Sequence, residues 1–336
     1  MEKRVFFGLI VGTQFIVSSL AQADTTFVSG TIDTNTVWDT AGSPYIVIDT
    51  VLVDSGVTLN IEPGVEVRID SAKSIMIKGN LYAMGTVADS IIISARYTTK
   101  RWDRLWFKPA SSCTLKYCRI EYAGNSAIYG ESTSYLYIGY NTIYNNLGFY
   151  SNLIRYGGGI YSAGICDIIS NTISNNSASI SGYGCTSYGG GIYASGSANI
   201  INNTFSYNHA DGVNGVANGY GYGGAIYTSG ISIIKDNVIS YNSCYGSGHY
   251  GSGGNGGGIC NLGQATISNN IILNNSAGGS SQRPSESSGG GIYSSNWAII
   301  SNNIISKNIA SGNGGQWFGY AGGGGISCQW ICRDSK

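Results

Sequence analysis

Isoleucine recurs along this chain in three columns with a period of about 33 residues, the mark of a stacked repeat array. The first column closes a glycine phrase: GGGIY at 157–161 and 189–193, GGAIY at 223–227, GGGIC at 256–260, GGGIY at 289–293 and GGGIS at 323–327. Its isoleucines are Ile160, Ile192, Ile226, Ile259, Ile292 and Ile326. An asparagine column follows at Asn171, Asn203, Asn237, Asn270 and Asn303, with an earlier copy at Asn141. Three positions before these asparagines stand Ile138, Ile168, Ile200, Ile234, Ile267 and Ile300. Two positions after them stand Ile143, Ile173, Phe205, Ile239, Ile272 and Ile305. A second asparagine column lies five residues further on, at Asn146, Asn176, Asn208, Asn242, Asn275 and Asn308.

These columns predict short β-strands separated by turns. β-Branched isoleucine favours strands, and period-two alternation along each strand sends alternate side chains inward. Equivalent residues of successive coils then stack about 4.8 Å apart. The isoleucine columns form the core, and the asparagine columns sit at turns, where stacked amides bond to one another and to the turn backbone. Asn175-Asn176-Ser177 matches the glycosylation triplet N-x-S/T, but columns that persist through the whole array are assigned to structure. The fold class expected is all-β: a single-stranded right-handed parallel β-helix.

The coil itself needs only about 22 residues, as the step from Ile120 to Ile143 shows. The remainder of each repeat is a Gly/Ser/Tyr-rich insertion, such as HADGVNGVANGYGYGG at 209–224 or SCYGSGHYGSGGNGG at 243–257. All insertions leave the coil at the same point, so they are expected as loops on one side. Such a side is often the binding face. Upstream, residues 45–95 alternate apolar runs with Asp-Ser-Gly, Pro-Gly and Gly-Asn turns. Residues 24–121 are therefore read as an N-terminal cap with the first coils, and 122–336 as the repeats. After Ile326 the chain reads SCQWICRDSK. The final coil is expected to stop before its second strand, as if truncated, and to self-associate through its open strand edge.

Residues 1–23 read as a secretory signal peptide: a charged start at Glu2-Lys3-Arg4, an apolar run to Leu20 and an Ala21-Gln22-Ala23 cleavage site. This implies a secreted or cell-surface protein, with no transmembrane segment after cleavage. The cysteines number 8, an even count that permits disulfides in an exported chain without fixing their pairing. Lys+Arg and Asp+Glu are each 18, so the chain lacks the basic excess that nucleic acid would select. Most of these charges precede residue 122, and the repeats are polar but almost uncharged.

Candidate chemistry is sparse, and no cofactor motif or metal-ligand spacing is present. The charged repeat residues Asp167, Asp211, Lys235, Asp236, Arg283, Glu286 and Lys307 share no column, and His209 and His249 lie in separate insertions. Polysaccharide elimination would need clustered carboxylates for calcium and a base, so no catalytic or metal residue is assigned. The candidate ligand-binding residues are Trp102, Arg104 and Trp106, in a basic aromatic segment suited to an acidic glycan. Tyr220, Tyr222, Tyr245 and Tyr250 on the insertions join them, because tyrosine on Gly/Ser loops makes adaptable contacts. A carbohydrate or a host or matrix surface is the partner expected.

Gly223-Gly224-Ala225-Ile226 and Phe205-Ser206-Tyr207-Asn208 match the GGAI and FxxN phrases of the polymorphic outer-membrane protein family, which residues 128–327 resemble. That resemblance implies an adhesin-like role at the outer membrane; the C-terminal barrel of that family has no counterpart in this sequence. The same fold is shared with pectate lyases, so a polysaccharide lyase is the alternative.

The core reading makes one prediction. Ile234→Asp buries an unpaired carboxylate in an apolar column at a cost of several kcal/mol. Thermal unfolding should show a lower midpoint and a lost transition for the surrounding coils, whereas wild-type melting would mean that the column faces water.

Overall fold

A computed structural model describes residues 25–213, 217–249, 251–282, 285–314, 320–328 and 332–334; the leader segment read at 1–23 and Tyr250 lie outside them. The described chain is strand and turn, with no helix among these residues. One repeat places Ile192–Ala194 on a first face, Ser197–Ile201 on a second and Thr204–Ser206 on a third. Each strand pairs in parallel with its equivalents in the preceding and following repeats. Ile192 pairs with Ile160 and Ile226, Ile200 with Ile168 and Ile234, and Phe205 with Ile173 and Ile239. The chain is thus a parallel β-solenoid. Its second face is an 11-stranded sheet running from Thr36–Trp38 to Cys332–Asp334. The upstream alternating section builds the first coils of the same stack.

The isoleucine columns are the core. Ile138, Ile168, Ile200, Ile234 and Ile267 are all 0% exposed, as are Ile143, Ile173, Phe205, Ile239 and Ile272. Burying a side chain of this size contributes about 1.5–3 kcal/mol, and stacking repeats it at every coil.

Each turn contributes a buried amide. The Asn208 carbonyl Oδ1 accepts from the backbone N–H and the Nδ2 of Asn176 in the preceding coil, both at 3.1 Å. Asn208 Nδ2 donates to the Ile173 carbonyl at 2.9 Å and to Asn242 Oδ1 at 2.9 Å. All four hydrogen-bonding positions of the carboxamide are therefore used. The Asn141, Asn171, Asn203, Asn237 column repeats the arrangement. Both columns open on backbone donors: Cys118 N–H bonds to Asn141 and Ala123 N–H to Asn146. The residue just before each ladder asparagine is left-handed, as at Ser170 (φ 58°), Asn175 (φ 53°), Asn202 (φ 58°) and Tyr207 (φ 56°). Asparagine tolerates that region better than most residues, which accounts for the recurring Asn-Asn pairs.

The insertions are not loops. His209–Val213, Ser243–Gly248, Ser276–Ser281 and Ile309–Gly314 stack in parallel within a 5-stranded sheet. Tyr220–Tyr222, Gly253–Asn255 and Glu286–Ser288 stack within a 7-stranded sheet. The two sheets lie back to back as a fin projecting from the corner between the third and first faces. Their inner positions are Ala210, Gly212, Cys244 and Gly246 against Ser187, Gly221 and Gly254, all buried. A Cβ on Gly212 would lie 2.3 Å from the Tyr220 carbonyl, and one on Gly221 would lie 2.1 Å from the Ala210 carbonyl. The backbones touch directly, closer than the about 10 Å of ordinary stacked sheets.

At the C-terminal end, the expected stop before the second strand is corrected. Cys332–Asp334 pairs with Ala298–Ile300, so the second face is continued there by one more strand. The backbone edge proposed for self-association on that face is therefore partly covered. Cys328 is disulfide-bonded, whereas Cys113, Cys118, Cys166, Cys185, Cys244 and Cys260 are free and buried. They act as small core residues; burial pushes the Cys118 and Cys166 thiols up to about 12.

Asn208→Leu tests the ladder. It leaves two donors of Asn176 and the Ile173 carbonyl without partners, and each orphaned buried group costs about 1–3 kcal/mol. Hydrogen exchange should accelerate in the flanking coils. Asn308→Leu, at a half-buried rung, should have a smaller effect; equal effects would show that the ladder carries no special stability.

Candidate functional site

Two columns of tyrosine meet where the fin leaves the coil. On the three-residue strands of the first face, Ile and the third residue point inward and the middle residue points out. That middle position is Tyr129, Tyr161, Tyr193 and Tyr227 in successive coils. Their rings stack at centroid distances of 4.4, 5.0 and 5.1 Å. On the facing fin sheet, Tyr156, Tyr188 and Tyr222 stack at 5.6 and 5.2 Å. Edge-to-face contacts bind the columns together, with Tyr156 on Tyr193 at 4.9 Å. Offset-stacked and edge-to-face pairs each add about 0.5–1.5 kcal/mol beyond area burial. The corner is thus a second apolar cluster, outside the solenoid, that fixes the fin to the coil. Most of its rings remain half-buried. Burial raises the hydroxyl pKa of Tyr161, Tyr222 and Tyr227, and that of Tyr188 to about 12. The strip is therefore uncharged at neutral pH and presents hydroxyls that both donate and accept.

The basic aromatic segment caps the N-terminal end of this strip. Trp106 pairs in register with Tyr129 and extends the first-face column. The Arg104 guanidinium lies 4.7 Å from the ring centroids of both Tyr129 and Phe149. Three features of the sequence reading change here. Trp102 is 0% exposed and donates its indole N–H to the Glu121 carbonyl, so it belongs to the core and not to a surface site. Arg104 is 8% exposed and paired with Asp103, so its role is a cation–π cap. Lys108 pairs with Glu131, which also accepts from Trp106, and Arg96 pairs with Asp70. Asp103 of the same segment, with Asp70 and Glu131 from other coils, thus pairs Arg104, Arg96 and Lys108, while Arg101 donates to the Ala123 and Asn145 carbonyls, so less free positive charge faces an acidic glycan.

The insertion tyrosines separate. Tyr220 and Tyr222 lie on the coil-facing side of the fin and line a cavity of about 380 Å³ with Ser252, Asn255, Glu286 and Tyr293. Tyr245 lies on the opposite side of the fin, opposite Asp211 and Gly278. Tyr250 is outside the described residues.

That opposite side holds a constellation hidden in the sequence. His209 Nδ1 is 2.8 Å from Ser243 Oγ, one coil away. Two residues along the strand, Asp211 accepts from Ser179 Oγ at 3.1 Å, while its other oxygen is buried without a partner. Desolvation raises the Asp211 carboxyl above its ordinary range. Register alone unites these residues, so only knowledge that the insertions are strands could have found them. Asp167 instead bonds to Tyr135 and Asn199, and Asp236 pairs with Lys235. Among the described residues, no group of three or more His, Cys, Asp and Glu is placed to hold a metal ion. No helix among them is long and apolar enough to cross a membrane.

In comparisons with known proteins, no family model, curated protein or solved structure matches this chain. The likeness to polymorphic outer-membrane proteins and pectate lyases therefore rests on the repeated phrases and the solenoid alone.

Asp211 gives a pH prediction. A carboxyl whose folded pKa is raised contributes fully below the unfolded value, here 3.8, and loses that contribution as pH rises through the folded value. Asp211→Asn should therefore melt higher than wild type at neutral pH, with the gap closing in acid. A lower midpoint at neutral pH would show that the carboxylate is stabilising.

Proposed function

We propose that this chain is an exported, non-catalytic β-solenoid that binds carbohydrate on a cell surface or matrix along its tyrosine strip. The observation that carries this reading is the pair of stacked tyrosine columns at the fin–coil corner. A regular row of neutral phenol hydroxyls supplies donors and acceptors at the spacing of the coils, which suits the hydroxyl-rich edge of an extended glycan. The internal pairing of Arg104 and Lys108 turns the preference from acidic glycans toward neutral ones. The leader-like segment at 1–23 supports export, and the phrases shared with polymorphic outer-membrane proteins support an adhesin-like role.

Retention of the exported chain on immobilised neutral polysaccharides, compared with pectin and alginate, tests this reading. The neutral polymers should retain it. The triple variant Tyr156→Phe, Tyr188→Phe, Tyr222→Phe keeps the rings and removes three hydroxyls, and should bind about tenfold more weakly, about 1.4 kcal/mol. Circular dichroism would confirm an unchanged fold. Absence of retention on every glycan, or unsaturated uronate products formed in the presence of calcium, would overturn it.

A further inference from the structure

Both tyrosine columns break at one coil: the first-face column is interrupted there, and the fin column ends there. On the first face Tyr227 is followed by Cys260 and then Tyr293. On the fin Tyr222 is followed by Asn255 and then Ser288. Beside it, Tyr220 is followed by Gly253 and the next coil places Glu286. Two ring columns thus carry cysteine and asparagine in one coil, while glycine follows the single ring of Tyr220, which itself follows Thr186. Neighbouring rungs recur about every 4.8 Å, so the missing fin rung leaves room for about one ring beyond Tyr222. Behind it the first face is closed: Cys260 is 0% exposed, and Tyr227 and Tyr293 are each 6% exposed. The cavity of about 380 Å³ described above opens at this level.

Elsewhere in the columns each ring face is covered by the next ring, so a ligand meets only edges and hydroxyls. At the slot the fin column ends on Tyr222, and the next position holds a carboxamide in place of a ring. We infer that this missing rung is a binding slot for a single neutral hexopyranose ring, completing the aromatic ladder in place of the absent tyrosines. A pyranose has an apolar C–H face that stacks on a phenol ring and an equatorial belt of hydroxyls that needs donors and acceptors. Tyr222 and Tyr220 supply the first; the Asn255 amide and the Glu286 carboxylate supply the second. A purely aromatic ring would leave the amide and carboxylate unanswered as it displaced their water. A uronate would bring its charge toward Glu286, with no cation among the described lining residues to offset it.

The inference rests on the carbohydrate-binding reading and narrows it to one sugar ring at one place. Titrating the exported chain with methyl glycosides of glucose, galactose and mannose, and separately with galacturonate, while following tyrosine fluorescence tests it. The neutral glycosides should perturb the signal in the millimolar range typical of a single small ring, and galacturonate should bind at least tenfold more weakly. Asn255→Tyr restores the missing rung: it should retain or raise the melting temperature and abolish glycoside binding. Glu286→Gln keeps the shape of the slot and should narrow the difference between galactose and galacturonate. Glycoside affinity unchanged in Asn255→Tyr, or galacturonate bound as well as galactose, would overturn the slot. Polysaccharide retention by the wild-type chain with no response to any glycoside would overturn the slot alone. Loss of both would overturn the carbohydrate reading itself.

Discussion

A buried carboxamide has two donors and two acceptor sites to satisfy, and inside this solenoid turn the partner that fits is the same carboxamide one coil away. Asn176, Asn208 and Asn242 answer one another in this way, each also closing a backbone carbonyl of the coil before it. Because the bonds are directional, every amide in a column points the same way along the axis. A slip by one residue would leave every rung unsatisfied at once, at a cost of several kcal/mol. The two asparagine columns thereby fix the register at two of the three corners. The isoleucine columns, which are tolerant of small shifts, inherit it.

Fixed register is what allows the outside of the coil to be built. A tyrosine column stacks only if successive rings arrive at the same height and angle, and Tyr161, Tyr193 and Tyr227 do so within 10°. The fin depends on register even more closely. Its inner seam has no large side chains to absorb error, and Gly221 leaves no room for a Cβ against the Ala210 carbonyl. A glycine seam gains little from hydrophobic burial and loses more chain entropy than any other. The stacked tyrosines at its base and the parallel ladders offset that cost. This explains why tyrosine and glycine rise together in the insertions.

The solenoid was legible in the sequence because its signal is side-chain identity at a fixed period. Ile234 and Asn237 hold their places whatever lies between the repeats. The fin was not legible, because a strand whose inward face is glycine and alanine shows no alternation of apolar and polar residues. HADGV and YGY therefore read as loops. The charge balance of the Arg104 segment was also hidden. Asp103 is its sequence neighbour, but Glu131 reaches Lys108 and Trp106 from the next coil, and a local reading counts only the cations. Trp102 was misplaced for a related reason: a tryptophan among Arg and Lys reads as surface, yet its indole donates into the coil at the Glu121 carbonyl.

A repeat array carries its stability in what recurs and its individuality in what does not. The Asn and Ile columns persist through many coils, and a substitution there disturbs several neighbours. Gly253, Asn255 and Cys260 occupy positions where the ladder already has a working residue one coil earlier, in Tyr220, Tyr222 and Tyr227. A tyrosine at Asn255 would meet no backbone barrier of the kind that excludes a side chain at Gly221. Stability would therefore gain from a ring at Asn255, for which the fin column supplies the template, whereas at Gly253 the Glu286 carbonyl, 1.6 Å from where a Cβ would stand, excludes one. The departure at Asn255, on the coil where the first-face column also breaks at Cys260, borders a cavity that a further ring would fill. Space that packing disfavours, walled by rings and edged by an amide and a carboxylate, is accounted for by occupancy from outside the chain.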